Sequence, residues 1–333
     1  MKEYNVAILG ASGLVGREML KILIDRKFPF KELRLLASSK SAGTTIEIDN
    51  KSYVVEETKE ESFTDINIVL ASAGAEVSRI FAPLAVKRGA IVIDNTSAFR
   101  MDQDVPLVVP EVNPEDLKKH KGIISNPNCS TIQLVVVLKP LHNFIPIKRV
   151  IVSTYQAVSG AGKKALEELK SQIQSPEYPA QVFKKQIAFN LIPQIDVFLH
   201  NDYTKEEMKM TNETKKIMRN ENINVVATAV RVPVITGHSE SVNIEFEKPF
   251  PPDKAREILK GCKGITVIDK PHEYIFPTPK EVEGTDDVYV GRIRRDISHP
   301  NCLNMWIVSD NLRKGAALNA VQIAEKLVEM NLV

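Results

Sequence analysis

Along the N-terminal third, short apolar runs alternate with amphipathic stretches. Val6 to Leu9 is an apolar run that stops at Gly10, and it reads as a buried parallel strand. From about Leu14 to Arg26 the apolar positions Leu14, Val15, Met19, Leu20, Leu23 and Ile24 recur at helical spacing. Leu33 to Ala37 is a second strand. Ile66 to Ser72 is a third, followed by Gly74 and a helical stretch through Val86. Ala90 to Asp94 is a fourth and Leu107 to Val109 a fifth. Strands alternating with helices predict βαβ units. The expected fold class is α/β: a Rossmann-like doubly wound, mostly parallel sheet.

The pattern changes after a helix predicted from Cys129 to about Leu138. Val150 to Gln156, Val225 to Val234 and Val242 to Phe246 alternate as half-buried strands do, with a charged helix from Lys205 to Arg219 between them. This predicts an α+β second domain with an antiparallel or mixed sheet. The Pro-rich stretches 249–252 and 271–279 read as loops. A last helix, about Gly315 to Met330, is expected to return to the first domain. The predicted division is therefore 1–128 with 312–333, and 129–311.

Composition narrows the function classes. With 44 basic and 42 acidic residues the net charge is +2, and no dense basic block is present, which argues against a nucleic-acid or membrane-surface binder. The three cysteines, Cys129, Cys262 and Cys302, show no C-x-x-C spacing, so no metal site is expected, and an odd, low count fits a reducing compartment. The first residues run straight into a strand, and no apolar run is long enough to span a bilayer, so a cytoplasmic location is expected.

Gly10, Gly13 and Gly16 follow the first strand and open the first helix. Gly10 permits a tight turn, Gly13 lets a pyrophosphate approach the helix N-terminus, and Gly16 allows close packing. Ser12, Leu14 and Val15 within this turn, and Ser72, Ala73 and Gly74 at the end of the third strand, are assigned to the same cofactor site. The second strand ends in Ala37-Ser-Ser-Lys-Ser-Ala-Gly43 rather than in an acid. Ser38, Ser39, Lys40 and Ser41 suit a 2′-phosphate, which points to NADP. The alternative is a polar surface loop.

Cys129 lies in Asn126-Pro-Asn-Cys-Ser-Thr131, where Asn128 is a good N-cap. A cysteine in a first helical turn meets the positive end of the helix dipole, which favours the thiolate. Cys262 and Cys302 lack such a setting. A thiolate attacking a carbonyl needs a proton-transfer partner, usually histidine. Of six histidines His238 is the best candidate, in a predicted loop between two strands. On local sequence alone it could equally be a hydrogen-bonded loop histidine.

Taken together, the motifs resemble the aspartate-β-semialdehyde dehydrogenase family over nearly the whole chain. In order they are Gly10–Gly16, Ser38–Gly43, Asn95–Arg100, Pro110–Asn113, Asn126–Thr131, Gln156–Gly160, Glu206–Lys209, Arg231–His238 and Ser309–Gly315. The resemblance implies interconversion of L-aspartyl-4-phosphate and L-aspartate-4-semialdehyde with NADPH and release of inorganic phosphate. It implies service to lysine, threonine, methionine and diaminopimelate synthesis, and a homodimer or homotetramer with a dinucleotide-binding domain and a catalytic and dimerisation domain. By the same resemblance Cys129 is the nucleophile that forms a thioester, His238 the acid/base, and Gln156 the residue that orients substrate. Arg231 would bind the α-carboxylate and Glu206 the α-ammonium. Arg100 and Lys209 would bind phosphate. Ser159, Gly160 and Asn311 would contact cofactor near the nicotinamide. Without the family pattern, Glu206 and Lys209 are simply an i,i+3 surface ion pair, and Arg100 a strand-end cap. Many members carry Arg where this chain has Lys40, and a point charge loses the planar fork.

Two other readings share some of these features. N-acetyl-glutamyl-phosphate reductase shares the chemistry, but that family reads Pro-Gly-Cys-Tyr-Pro-Thr around its nucleophile. A non-catalytic dinucleotide-sensing protein would keep the three glycines and would not need Cys129, His238 and Arg231 together.

Overall fold

Val6, Ala7 and Ile8 are wholly buried, as a strand covered on both faces must be. They lie in β1 (Tyr4–Leu9), at the centre of the first sheet of the computed structural model, which describes residues 2–333. The chain continues through α1 (Leu14–Asp25), β2 (Phe30–Ala37), β3 (Thr45–Ile48), β4 (Lys51–Glu57), β5 (Ile68–Ala71), α2 (Ala75–Lys87), β6 (Ile91–Asp94) and β7 (Ile123–Ser125). The strand order is β3-β4-β2-β1-β5-β6-β7, parallel throughout except for the β3–β4 hairpin. Side chains alternate between two cores. Val6, Ile8, Leu35, Leu70 and Ile93 pack with α1 and the C-terminal helix Leu318–Glu329, while Ala7, Leu36, Val69 and Val92 pack with Ala82 and Ala85 of α2. Helices on both faces make this a doubly wound α/β sheet.

Leu107 to Val109 is not a strand: Leu107 makes a single bridge to Ser125, and Val108 N–H donates to the Ser125 carbonyl at 3.1 Å. Pro106 and Pro110 flank the segment and lack the N–H groups that would extend the ladder. The β3–β4 hairpin was legible and not predicted. Its two-residue turn, Asp49-Asn50, has both φ angles positive (49° and 61°), the geometry that suits a tight hairpin.

The second unit, Asn128–Gly315, is distinct from the first, Met1–Pro127 with Ala316–Val333. It contains α3 (Cys129–Phe144), β8 (Ile147–Gln156), α4 (Lys163–Gln174), α5 (Lys205–Met218), β9 (Asn224–Arg231), β10 (His238–Phe246), α6 (Pro252–Lys260), β11 (Ile265–Val267), α7 (Pro279–Val282), β12 (Val288–Arg295) and β13 (Cys302–Ser309). The C-terminal helix is α8. The mixed sheet runs β11-β12-β13-β10-β8-β9. Pro252 and Pro279, expected in loops, instead begin α6 and α7, since a first-turn proline gives up no helical hydrogen bond. His238 is not in a loop either. It is the first residue of β10 and wholly buried.

Register turns this sheet into rows. Residues directly opposite one another project to the same face. Arg231 pairs with Gln156 across β9 and β8, and His238 with Ser309 across β10 and β13. The adjoining pair is Ser239 with Tyr155, so these four residues form one row at the strand ends. The next row inward is Ala229, Thr154, Glu240 and Ile307, and the third is Ala227, Val152, Val242 and Met305. The sheet thus passes from a polar row to an apolar core in two steps.

Candidate active site

Asn128 ends the extended segment before α3, and its side-chain oxygen accepts from Ser130 N–H (3.1 Å) and Thr131 N–H (3.2 Å). The cap places Cys129 at the first helical position, partly exposed, while the residues from Ser130 to Leu138 are buried. The positive helix end favours a thiolate there. Gly315 packs directly on it: a Cβ at Gly315 would stand 2.9 Å from Cys129 Cβ.

The polar row lies in the same unit as Cys129, and its side chains have fixed orientations. Ala157 N–H donates to His238 Nδ1 at 3.1 Å, so the neutral ring's hydrogen is assigned to Nε2. Nε2 is buried and has no protein partner. Burial, with the nearby Arg231 charge, holds the imidazole down to about 3, so it is neutral at physiological pH. Gly160 leaves room above these groups. A Cβ there would meet His238 Nε2 at 3.2 Å and Arg231 Nη1 at 3.1 Å. Asn311 pins the approach to β10, accepting from Gly237 N–H at 2.8 Å and donating to Ser159 Oγ at 2.9 Å.

Arg231 is buried and donates to the Ala157 carbonyl at 2.7 Å, with Phe183 stacked over it at 5.9 Å. Burial lowers its pKa, and the charges of Glu206 and Cys129 offset part of that. Gln156 donates to Ser130 Oγ (2.7 Å) and Glu206 Oε1 (3.1 Å), leaving its own carbonyl oxygen buried without a partner. Glu206 also accepts from Asn128 Nδ2 (2.7 Å) and from Lys209 (3.0 Å). Burial pushes the Glu206 carboxyl up, but Lys209, Gln156 and Asn128 outweigh it and hold it at about 2. Lys209 is shared with Asp196 at 3.1 Å. The Glu206–Lys209 pair is therefore no loose surface ion pair: Glu206 is 6 % exposed.

Arg100 belongs to the first unit. Its guanidinium donates to the Asn126 carbonyl and the Asn95 carbonyl, both at 2.9 Å, and the Asn126 and Asn95 side chains are themselves hydrogen-bonded. Buried Asp94, gripped by Ser78 (2.9 Å) and by Thr96, shapes the turn that leads to Arg100.

Also in the first unit is a cleft of about 470 Å³ at the strand ends, lined by Gly10, Ser12, Gly13, Ser38, Ser39, Ser72 and Ala73 among others. Gly10 has φ +90° and its missing Cβ would strike the Ser72–Ala73 backbone at 2.9 Å, while a Cβ at Gly16 would fall 2.3 Å from the Gly10 carbonyl oxygen. Both positions demand glycine. Ser72 Oγ is buried without a partner. A backbone cradle, serine hydroxyls and an orphaned donor fit a dinucleotide phosphate chain. Lys40 and Ser41 lie in the turn beyond and are not part of the lining. Glu57 and Thr58, at the end of β4, are.

Sequence reasoning missed Glu213, which accepts from Asn128 N–H at 2.7 Å. It stands seven residues after Glu206, two turns along one face of α5, a spacing that could have found it. Gly315 closes the Ser309–Gly315 motif but had no role assigned to it, and Phe183 carried no local signal.

The chain is similar to known proteins over nearly its whole length. Family models described as semialdehyde dehydrogenase, NAD binding domain, and semialdehyde dehydrogenase, dimerisation domain, match residues 5–120 and 138–314. The aspartate-semialdehyde dehydrogenase of Aquifex aeolicus is 57% identical over 338 residues, covering 99% of each chain. The crystal structure of aspartate semialdehyde dehydrogenase II from Vibrio cholerae complexed with ASA superposes with TM-score 0.95 at 49% identity, covering 99% of each chain. That of the Candida albicans enzyme with NADP has TM-score 0.79 at 29% identity, covering 100% of each chain. Among the described residues no helix is long and apolar enough to cross a membrane. The chain belongs to the aspartate-semialdehyde dehydrogenase family.

Proposed function

We propose that the protein reduces L-aspartyl-4-phosphate to L-aspartate-4-semialdehyde through a thioester on Cys129, with NADPH as reductant. The observation that carries this reading is Cys129 at a capped helix start within one unit with His238, Arg231 and Glu206. The Cys129 thiolate attacks the acyl carbon. The C–S bond forms, the C–O bond to phosphate breaks, and phosphate leaves with the electron pair, its charge met by Arg100 and Lys209. Arg231 grips the α-carboxylate with two parallel hydrogen bonds, and Glu206, ionised because it is held at about 2, receives the α-ammonium. Gln156, anchored through its amide nitrogen, offers its open carbonyl oxygen to the substrate.

The nicotinamide cofactor, when bound, supplies a hydride to the thioester carbonyl carbon. Gly10, Ser12, Gly13, Ser38, Ser39, Ser72 and Ala73 would hold it, with Leu14, Val15, Gly16 and Gly74 shaping the turns and Ser159, Gly160 and Asn311 serving the nicotinamide end. His238 Nε2–H donates a hydrogen bond to the oxyanion left on the thioester carbon and stabilises it without giving up its proton. The oxyanion then re-forms the C=O bond as the C–S bond breaks, which returns the electron pair to Cys129 as thiolate and frees the aldehyde. NADP is favoured over NAD because serines, not an acid, follow β2, and because the similar Candida protein was solved with NADP. Lys40 and Ser41 would act on a 2′-phosphate from outside the cleft. A homodimer or homotetramer is favoured by the match to a dimerisation domain, and a cytoplasmic setting by the cysteine count.

The test is phosphate-dependent NADP⁺ reduction with L-aspartate-4-semialdehyde, beside Cys129→Ala. Turnover that vanishes in the variant supports the reading. Turnover only with N-acetyl-glutamate semialdehyde would overturn the substrate, and activity surviving in the variant would overturn the thioester.

A further inference from the structure

Glu240 takes no part in the chemistry above, yet it sits in the row directly beneath it. It follows His238 by two positions on β10 and so projects to the same face, opposite Thr154 of β8 and Ile307 of β13. It is wholly buried, and neither carboxyl oxygen has a hydrogen-bond partner. The side chain beside it is that of Gln133, on α3. Gln133 lies one helical turn beyond Cys129 and accepts from Ser309 Oγ at 2.6 Å, while its own amide nitrogen is buried without a partner. Thr154, across the strand from Glu240, is the third side chain with such an atom, its Oγ1. Unpartnered donors and acceptors on α3, β8 and β10 therefore meet in one layer.

We infer that Glu240 is a positioning residue, held as a neutral carboxylic acid, that with Gln133 couples the strand bearing His238 to the helix bearing Cys129.

The charge state follows from the surroundings. A carboxylate buried without a cation or donors is far more costly than its neutral form. Burial accordingly pushes the Glu240 pKa well above the usual carboxylate value, and Gln133 offsets only part of it. A neutral acid is also the right complement to an amide. Its carbonyl can accept from the free Gln133 N–H, and its O–H can donate to the second lone pair of the Gln133 oxygen, the first being taken by Ser309. A carboxylate could make only the first of these bonds. A glutamine at 240 could make both, and a leucine neither.

The role rests on Cys129 and His238 being the reacting groups, so the test has readouts that need no substrate. Full-length wild type, Glu240→Gln, Glu240→Leu and Gln133→Leu are compared. The infrared difference spectrum of wild type minus Glu240→Gln at neutral pH should show a carboxylic-acid carbonyl band. The rate of Cys129 alkylation by iodoacetamide and kcat should both stay within about threefold of wild type in Glu240→Gln. In Glu240→Leu, kcat should fall roughly tenfold or more with KM for aspartate semialdehyde little changed. Gln133→Leu, which leaves Glu240 in place, should reproduce that split if Glu240→Leu does not fold. A missing band, Glu240→Gln as impaired as Glu240→Leu, or full kcat in both leucine variants would each overturn the role. A wrong substrate would leave the band and the alkylation rates as expected.

Discussion

The burial of His238 bears on stability and on the proposed chemistry alike. Its imidazole is wholly buried, and burial with the Arg231 charge lowers its pKa from 6.5 to about 3. The sign follows directly. The unfolded chain takes up a proton below pH 6.5 and the folded one does not, so the contribution is full above pH 6.5 and is lost as pH falls toward about 3. Urea unfolding between about pH 7 and 5 should therefore show wild-type stability falling by up to roughly 1.4 kcal/mol per pH unit from this residue, a fall that His238→Asn lacks. Equal slopes in the two proteins would contradict the neutral buried ring. Arg231 makes a second residue-scale prediction. Arg231→Lys keeps the charge and loses the fork, so KM for aspartate semialdehyde should rise about tenfold or more, with a smaller change in kcat. Residue identities of this kind were legible in the sequence through motifs. The environment that tunes them was not, because His238 reads locally as a loop residue and becomes a buried strand residue only when β10 pairs with β13 and β8.

Helix α3 is the element on which the proposed chemistry turns. Asn128 caps it and at the same time ties Glu206 and Glu213 of α5 to its start. Asn128→Ala should cost about 1 kcal/mol from the lost cap, more with the Glu206 bond, and should slow Cys129 alkylation. Alkylation at the wild-type rate would show that the cap does not set thiol reactivity. Gly315→Ala puts a methyl group 2.9 Å from Cys129 Cβ, so kcat should fall while dinucleotide affinity, measured by calorimetry, stays near wild type. At this scale the helical periodicities of α1, α2, α3 and α5 were readable from sequence. The β3–β4 hairpin, α4 and the strands β12 and β13 went unread: α4 carries mostly charged and polar residues between its few apolar ones, and β12 and β13 lie among charged and Pro-rich segments.

Over the whole molecule, the proposed reading divides the work between two units: backbone and serine hydroxyls of the first would cradle the phosphates, and the thiol with its charged neighbours lies in the second. The order of motifs along the chain made that division readable. The rows of the second sheet were not, since strand register depends on which strands become neighbours, and β8 pairs with both β9 and β10 in opposite senses. Cofactor preference is a property of the first unit and can be measured there in the intact protein. Calorimetry should give a lower Kd for NADP⁺ than for NAD⁺, with Lys40→Ala narrowing the ratio, whereas a preference for NAD⁺ would contradict the reading of the serines that follow β2. The most direct test of the central claim is the mass of the intact protein after mixing with L-aspartate-4-semialdehyde and NADP⁺ in the absence of phosphate. The account predicts a burst of about one NADPH per active site and an aspartyl adduct on the peptide bearing Cys129, neither of which forms in Cys129→Ser. A burst without an adduct, or an adduct on another residue, would contradict it.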